Sequence, residues 1–311
     1  MIDALSKAMF GALANSAGLK RLASRYGMRG TRGFARRFVA GESVEEAITA
    51  AVALETQGLS QTLDLLGESV ASEREADAAT AAYLAMLPRI AAAGIGRNIS
   101  IKLTQLGLDL SLTIAAQHLR TILVSARDQQ FFVRVDMENS PYVEATLTLV
   151  EAACRDGLDN VGVVLQSALK RSDADLERVM ALGLRVRLVK GAYQEPAAVA
   201  WQTKAEVDAA YLRLMTPLLA RGRFPAIATH DPQMIAEARR LAALHSLPAD
   251  GFEFQMLYGV RRDLQASLVG EGYGVRVYIP YGREWFPYFM RRLGERPANV
   301  AFVLKSILRE G

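Results

Sequence analysis

Residues 288 to 295, YFMRRLGE, combine a tyrosine, two adjacent arginines and a glutamate at spacings of three and four. In a helix these spacings place the side chains on one face, so Tyr288 lies beside Arg291 and Arg292, and Glu295 can reach back to either arginine. Two neighbouring guanidinium groups could hold an anionic ligand. A solvated helix face with nearly neutral ion pairs is the alternative, and the segment considered alone favours it.

The composition excludes several classes of protein. With 311 residues, 51% hydrophobic and 23% charged, the chain can bury a large core in one large domain or two. Cys154 has no partner for an internal disulfide, and His118, His230 and His245 lack the spacing of metal ligands. No apolar run approaches the roughly 20 residues of a membrane-spanning helix. We therefore expect a cytoplasmic protein without a structural metal.

Positive charge is concentrated at the start of the chain. Residues 1–40 carry a net charge of +7, whereas the remainder is slightly acidic, within a total of +4. Apolar residues recur at helical spacing, which favours a basic helical arm or a membrane-surface helix over a mitochondrial transit peptide. We predict an arm over 1–58 that contacts the inner face of the cell membrane peripherally. Little aromatic interleaving argues against nucleic-acid binding.

From about residue 60 the chain alternates short β-branched runs with helical patterns. Eight runs are strand candidates: SQTLDLLG from 60, ISIKLT from 99, FFVRVDME from 131, VGVVLQ from 161, RVRLVKGA from 185, PAIATHD from 225, FEFQML from 252 and VRVYIP from 275. Eight such units predict a (β/α)8 barrel over 59–311. A doubly wound open sheet is the alternative, but no GxGxxG motif follows the first strand.

Side chains alternate across a strand, and in several runs one parity is apolar and the other charged. The apolar parity suits the helix layer, so the charged parity points into the barrel. Five polar residues then lie near the carboxyl ends of their strands: Lys102, Asp136, Gln166, Arg187 and Tyr278. Active sites of such barrels form at these ends. We interpret the set as a site for an anionic ligand beside a cofactor, with a structural ion network as the alternative.

Four segments carry a resemblance to a known family. They are LVKGAY at 188–193, ATHD at 228–231, FEFQMLYGV at 252–260 and YFMRRLGER at 288–296. In this order they resemble the proline dehydrogenases, flavoenzymes with a distorted (β/α)8 barrel, and the similarity runs from the first strand to residue 299. The length resembles the single-function bacterial form. The resemblance implies oxidation of L-proline to Δ1-pyrroline-5-carboxylate, with hydride transfer to FAD and electrons passing to a membrane quinone.

The same resemblance implies roles for the substrate-binding residues. Arg291 and Arg292 match the arginines that hold the proline carboxylate, with Lys102 as a third cation. Guanidinium forks suit this task because they bind a carboxylate in a planar, charge-assisted way. Glu68 matches a glutamate that pairs with the first arginine as a gate. The implied wall of the ring pocket consists of Leu257, Tyr278 and Tyr288.

Further residues resemble the flavin site. Arg187 matches the arginine beside the isoalloxazine N5, and Asp136 matches the aspartate that organises Lys102 and the cofactor edge, which makes Asp136 and Arg187 the implied catalytic pair. A cation at this place would stabilise negative charge developing on a reduced flavin. The other implied FAD contacts are Met137, Gln166, Lys190, Gly191, Ala192, Thr229 and His230. His230 also has a simpler interpretation as a helix-capping residue.

Two other functions remain open at this stage. Lys102 or Lys190 could act as the Schiff-base lysine of a lyase if neighbouring cations depressed its pKa. A barrel that binds an amino acid without catalysis is the second alternative. A flavin spectrum would distinguish both from a dehydrogenase.

Overall fold

A computed structural model of the chain describes residues 28 and 33–295. Eight parallel strands form one closed barrel in chain order, with β8 returning to pair with β1. The strands are β1 (Ser60–Leu65), β2 (Asn98–Ile101), β3 (Phe132–Val135), β4 (Val161–Gln166), β5 (Arg185–Val189), β6 (Ala226–Ala228), β7 (Glu253–Leu257) and β8 (Gly274–Tyr281). The predicted barrel and its eight strands are confirmed, and the open-sheet alternative is wrong.

Nine α-helices occur within these described residues. They are α1 (Val44–Glu55), α2 (Glu73–Ala92), α3 (Leu112–Asp128), α4 (Val143–Arg155), α5 (Ser172–Ala181), α6 (Lys204–Arg221), α7 (Pro232–Leu244), α8 (Arg262–Gly270) and α9 (Trp285–Glu295). Short 3-10 helices cover Phe34–Arg37, Thr104–Leu106 and Ser140–Tyr142. Capping boxes begin α1 at Ser43 and α6 at Thr203, where a hydroxyl and a glutamate satisfy backbone N–H groups of the first turn.

The strand alternation has the expected consequence. Val133 and Val135 of β3 are fully buried in the main hydrophobic core between barrel and helices. Arg134 lies between them in sequence, is 3% exposed, and donates to backbone carbonyls of β4 and β5. Polar groups therefore fill the barrel interior, and the apolar parity holds the helix layer against the strands.

Helix α1 occupies the place at the barrel seam where an eighth flanking helix is expected. It packs against β1 and β8, and its Ala47 and Ala51 are fully buried in the main core. The last helix, α9, instead carries residues that line a cavity at the carboxyl ends of the strands. The position of α9 departs from a regular (β/α)8 barrel because α1 already covers the seam.

The segment just before α1 ties α9 to the barrel. The backbone N–H of Ala40 donates to the Pro280 carbonyl at 2.9 Å, and that of Gly282 donates to the Gly41 carbonyl at 2.9 Å. Phe38 packs on Phe289 of α9 with ring centroids 6.3 Å apart, in a second hydrophobic cluster. The described part of the predicted arm is thus continuous with the barrel, whereas residues 1–27 and 29–32, which hold most of its basic residues, lie outside the described residues.

Candidate active site

A cavity of about 560 Å³ opens at the carboxyl ends of the strands. Every residue assigned to the site from the sequence lines it: Glu68, Lys102, Asp136, Met137, Gln166, Arg187, Lys190, Gly191, Ala192, Thr229, His230, Leu257, Tyr278, Tyr288, Arg291 and Arg292. These residues come from four strands (β4, β5, β7 and β8), from the loops that follow β1, β2, β3, β5 and β6, and from α9. The barrel brings them together because parallel strands end at one face.

Arg187 is the centre of a buried polar network. Its guanidinium donates to Asp136 Oδ1 at 2.7 Å and to Gln255 Oε1 at 2.5 Å, and it also contacts Ser100 Oγ. The Tyr278 hydroxyl donates to Asp136 Oδ2 at 2.7 Å. Burial, followed by the charge of Asp136, raises the pKa of Tyr278, so its hydroxyl keeps the proton that it donates. Asp136 therefore orients Arg187 and Tyr278 together.

Lys102 has a partner that sequence reasoning missed. Its ammonium lies 3.4 Å from Asp64 Oδ1, and both side chains are buried. Burial alone would lower the pKa of Lys102, but the carboxylates of Asp64 and Asp136 outweigh this effect and raise it. Asp136 thus acts on Lys102 at longer range, while Asp64 is the direct partner. Lys102 remains a protonated cation, which opposes its use as a Schiff-base nucleophile.

Arg291 and Glu68 form a two-pronged ion pair at the cavity wall. The Nη2–Oε1 distance is 2.7 Å and the Nη1–Oε2 distance is 3.2 Å. Each side chain remains about a quarter exposed. Burial lowers the pKa of Arg291, but Glu68 reverses the effect and raises it above the ordinary value. The pairing expected from the resemblance is present geometrically, and its role as a gate stays a prediction.

Arg292 is 7% exposed and lies over Tyr288, with its guanidinium carbon 5.0 Å from the ring centroid. The contact is a cation–π interaction between neighbours on the same helical face. A solvated face is thereby excluded for Arg292. The Glu295 side chain, expected to reach back to the arginines, lies outside the described residues.

His230 connects the sixth and seventh strands at the cavity. The backbone N–H of Leu257 donates to His230 Nε2 at 3.0 Å. An accepting Nε2 requires an imidazole with an unprotonated Nε2, so this ring is not an imidazolium. The hydrogen bond fixes the backbone of Leu257 at the end of β7. His230 is not the N-cap residue of α7, because Asp231 occupies that position.

Gly191 makes close approach possible at the end of β5. Its φ is +111°, and an added Cβ would lie 2.9 Å from Gln166 Oε1. Gln166 is itself held, because its amide donates to the Glu138 carbonyl at 2.8 Å. The backbone here adopts a conformation that other residues rarely accept.

We expect Gly191→Ala to destabilise the fold by about 1–2 kcal/mol, the usual cost of a left-handed backbone for a residue with a Cβ. Chemical denaturation of parent and variant measures this cost. Gly94→Ala is a useful comparison because Gly94 also has positive φ (+70°), yet nothing lies within 4 Å of its Cβ position. Equal stability of Gly191→Ala and parent would contradict the strain at Gly191.

Lys190 lies in a charge cluster at the far side of the cavity. Its ammonium contacts Asp208 at 2.5 Å and Asp231 at 2.8 Å, and Lys204 pairs with the same two carboxylates. Burial raises the pKa of both carboxyls, but hydrogen bonds outweigh it and hold each pKa below the ordinary value of 3.8: Lys190 and Lys204 donate to Asp208, and Lys190 and the Gln233 backbone N–H donate to Asp231.

This cluster predicts a direction for acid sensitivity. A carboxyl with a lowered folded-state pKa contributes stability above its unfolded pKa and loses it as pH falls through the folded value. We therefore expect the stabilisation from Asp208 to be complete above about pH 4 and to be lost as the pH falls from there through the lower pKa of the folded state. The stability difference between parent and Asp208→Asn, measured by denaturation at several pH values, should shrink towards acid pH. A difference that is constant with pH would contradict the assignment.

Two residues at or beneath the cavity were not predicted from the sequence. Asp64 shares strand parity with Thr62, opposite Leu63 and Leu65, so the alternation rule applied to β1 would have found it. Tyr193 stands in the LVKGAY segment and lines the cavity. Burial, and then the charge of Glu68, raises the pKa of Tyr193.

Comparison with known proteins agrees with the geometry. The family model described as proline dehydrogenase matches residues 47–305. The chain belongs to the proline dehydrogenase family. The chain is 44% identical to proline dehydrogenase 1 of Bacillus subtilis, over 96% of this chain and 97% of that protein. It is 44% identical to proline dehydrogenase of Deinococcus radiodurans, over 88% and 90% of the two chains. The predicted family and enzyme class are confirmed.

Solved structures of the family share the fold. Proline utilization A from Bdellovibrio bacteriovorus, inactivated by N-propargylglycine, gives a TM-score of 0.78 at 27% identity, over 84% of this chain and 32% of that chain. Proline utilization A of Bradyrhizobium japonicum gives 0.72 at 27% identity, over 88% and 32%. This chain spans about a third of those larger proteins. Within the residues that the structure describes, no helix combines the length and apolarity required to cross a bilayer.

Proposed function

We propose that this enzyme oxidises L-proline to Δ1-pyrroline-5-carboxylate, uses noncovalently bound FAD, and passes the electrons to a membrane quinone. The observation that carries the proposal is one cavity in which three cations, Lys102, Arg291 and Arg292, lie with an apolar and aromatic wall. This combination is complementary to a small amino acid that has a carboxylate at one end and a hydrocarbon ring at the other.

The cations account for recognition of the carboxylate. Arg292 is buried and Arg291 is mostly buried. Hydrogen bonds from their guanidinium groups to a carboxylate would therefore be poorly screened by water. Lys102 adds a point charge that its neighbours keep protonated. The hydrocarbon part of proline then faces Leu257, Tyr278 and Tyr288.

The size and lining of the cavity support the flavin part of the proposal. Its 560 Å³ falls within the roughly 300–1,000 Å³ of sites for drug-sized ligands and exceeds the needs of an eight-atom amino acid. Gly191 lines the cavity and has no side chain, so its backbone could approach a planar ring closely. Met137, Gln166, Thr229 and His230 would complete the binding surface. FAD, when bound, supplies the acceptor for a hydride.

The protein groups have separate tasks in this proposal. Arg187 places a fixed positive charge at the cavity floor, and Asp136 prevents its reorientation. The charge would favour electron density arriving at the adjacent cofactor edge. In this oxidation proline would lose a hydride from its ring to bound FAD and a proton from its nitrogen to water, so no enzyme nucleophile is required.

Glu68 and Arg291 supply a gating step in the proposal. In the structure Arg291 donates two hydrogen bonds to the Glu68 carboxylate at the cavity wall. A substrate carboxylate would compete for the same guanidinium, so binding would exchange one carboxylate for another. The exchange preserves charge pairing and thereby limits the desolvation cost.

Anaerobic addition of L-proline to the purified enzyme tests the central claim. The flavin absorption band should bleach, and air or a quinone analogue should restore it. Acid or heat should release FAD from the chain. A protein that contains flavin but does not bleach would refute proline oxidation, whereas a colourless protein inactivated by borohydride would favour a lyase.

Peripheral membrane contact through residues 1–40 belongs to the same proposal. The net charge of +7 in this segment would attract an anionic lipid surface at about 1 kcal/mol per basic residue. Binding to anionic vesicles at low salt should decrease when residues 1–32, which hold six of the eight basic residues of this segment, are removed. Undiminished binding of the shortened protein would refute this part of the proposal.

A further inference from the structure

A second cavity, of about 280 Å³, lies at the amino-terminal ends of β3, β4 and β5. It is at the opposite end of the barrel from the candidate active site. Three arginines line it, Arg127, Arg185 and Arg223, together with Phe132, Asn160 and one carboxylate, Asp159. We call this cavity the basal arginine pocket.

Arg185 is held in an unusual way for a cation. Its guanidinium carbon lies 4.7 Å from the ring centroid of Phe132 and 4.3 Å from that of Phe224, so two aromatic rings fix its position. Its Nε is buried without a hydrogen-bond partner, and within residues 33–295 no carboxylate forms an ion pair with Arg185. Phe224 has a φ of +46°, a costly conformation for an aromatic residue.

The residues beneath the pocket leave positive charge uncompensated. Arg134, which is buried, and Arg276, which is partly buried, are neighbouring cations, and Glu253 is the carboxylate that faces them. Arg276 already engages both oxygens of Glu253, at 2.9 and 3.0 Å. Burial lowers the pKa of Arg185, and the charges of Arg276 and Arg223 add to this effect, while Glu253 opposes it. Glu253 is therefore the carboxylate that Arg134, Arg185 and Arg276 share at this end of the barrel.

The rim adds further donors and an uncharged acceptor. Arg223 lies 3.9 Å from Asp159, and Arg127 lies 3.5 Å from Asp128, both in exposed and weak pairs. These two guanidinium groups can turn towards a ligand at little cost. Asn160 donates its amide to two backbone carbonyls, and its Oδ1 is buried without a partner. An acceptor of this kind suits an anion that retains a hydroxyl group.

We propose that the basal arginine pocket is a second ligand site, which binds a small hydroxyl-bearing oxyanion such as hydrogenphosphate. The anion would compensate the charge on Arg185 and accept hydrogen bonds from Arg127 and Arg223. The hydroxyl of hydrogenphosphate would donate to Asn160. Oxyanion binding by several guanidinium groups is the standard chemistry of phosphate recognition. The site is independent of the catalytic proposal because it shares no residue with the upper cavity.

Thermal melting of the flavin-loaded enzyme with inorganic phosphate tests the proposal. Phosphate is titrated against sodium chloride at constant ionic strength, in a buffer without other oxyanions. We expect a saturable increase in Tm with phosphate. Arg223→Gln and Arg185→Gln should each raise the phosphate concentration at half-saturation by about tenfold or more, as loss of a charge-assisted hydrogen bond implies.

Arg221→Gln is the matched control, since Arg221 lies two residues from Arg223, pairs with Glu177 and does not line the pocket. It should retain the parental phosphate response. Arg223 is more than half exposed, so its variant should fold even if Arg185→Gln does not. Absence of a saturable shift in the parent, or an unchanged shift in Arg223→Gln, would overturn the proposal. A phosphate response lost in Arg292→Met but kept in Arg223→Gln would place the anion in the upper cavity and would also overturn it.

Discussion

Arg292→Met should weaken proline binding by about 2–4 kcal/mol, the range for removal of one partner from a desolvated charge pair. Arg292 is 7% exposed, so the lost charge acts where water screens it poorly. Methionine keeps an unbranched, flexible side chain beside Tyr288, so the fold and FAD occupancy should remain near normal. Steady-state kinetics with proline, together with flavin content, measures the two effects.

Two comparisons isolate the carboxylate contact of Arg292. Arg292→Lys should rescue binding only in part, because an ammonium lacks the fork geometry. Prolinamide has no carboxylate and should discriminate poorly between parent and Arg292→Met. Arg240→Met is the control, since Arg240 is exposed and pairs with Glu237 on α7. An unaltered kcat/KM of Arg292→Met with proline would remove Arg292 from the substrate site.

Asp64→Asn should lower the free energy of unfolding by roughly 3–5 kcal/mol, because it leaves the buried ammonium of Lys102 without a charged partner. After Asp64, the carboxylate with the largest effect on Lys102 is Asp136, which Arg187 and Tyr278 already engage. Urea denaturation of parent and variant gives the difference. The affinity of the variant for proline should also change, because Asp64 no longer fixes the position of Lys102.

A double-variant cycle separates the ion pair from other effects of Asp64. Adding Lys102→Met to Asp64→Asn removes the unpaired charge, so the double variant should recover a large part of the lost stability. Asp173→Asn serves as the exposed reference, because Asp173 and Arg213 form a surface pair whose loss should cost less than about 1 kcal/mol. If Asp64→Asn were as mild as Asp173→Asn, the Lys102–Asp64 pair would not hold the barrel interior together.

Sequence alone determined the strands and the sides to which their residues point. Alternation in a strand is a local property, so the inward placement of Lys102, Asp136 and Arg187 followed from their neighbours. The carboxyl-terminal location of the cavity followed from the parallel order of the strands. The assignment of individual roles came from the family resemblance.

Only the tertiary structure decided which charged groups meet. Closure of β8 on β1 brings Glu68 to Arg291, 223 positions away in sequence, and the β1–β2 pairing brings Asp64 to Lys102. Strand parity gives the direction of a side chain but not its partner, since the partner depends on the barrel register and the height of each residue. The position of α9 was likewise undetermined, because its apolar face could pack on a strand or on the segment around Phe38. Helix α1 took the seam between β1 and β8, so α9 remained over the cavity, where Arg291 and Arg292 line it.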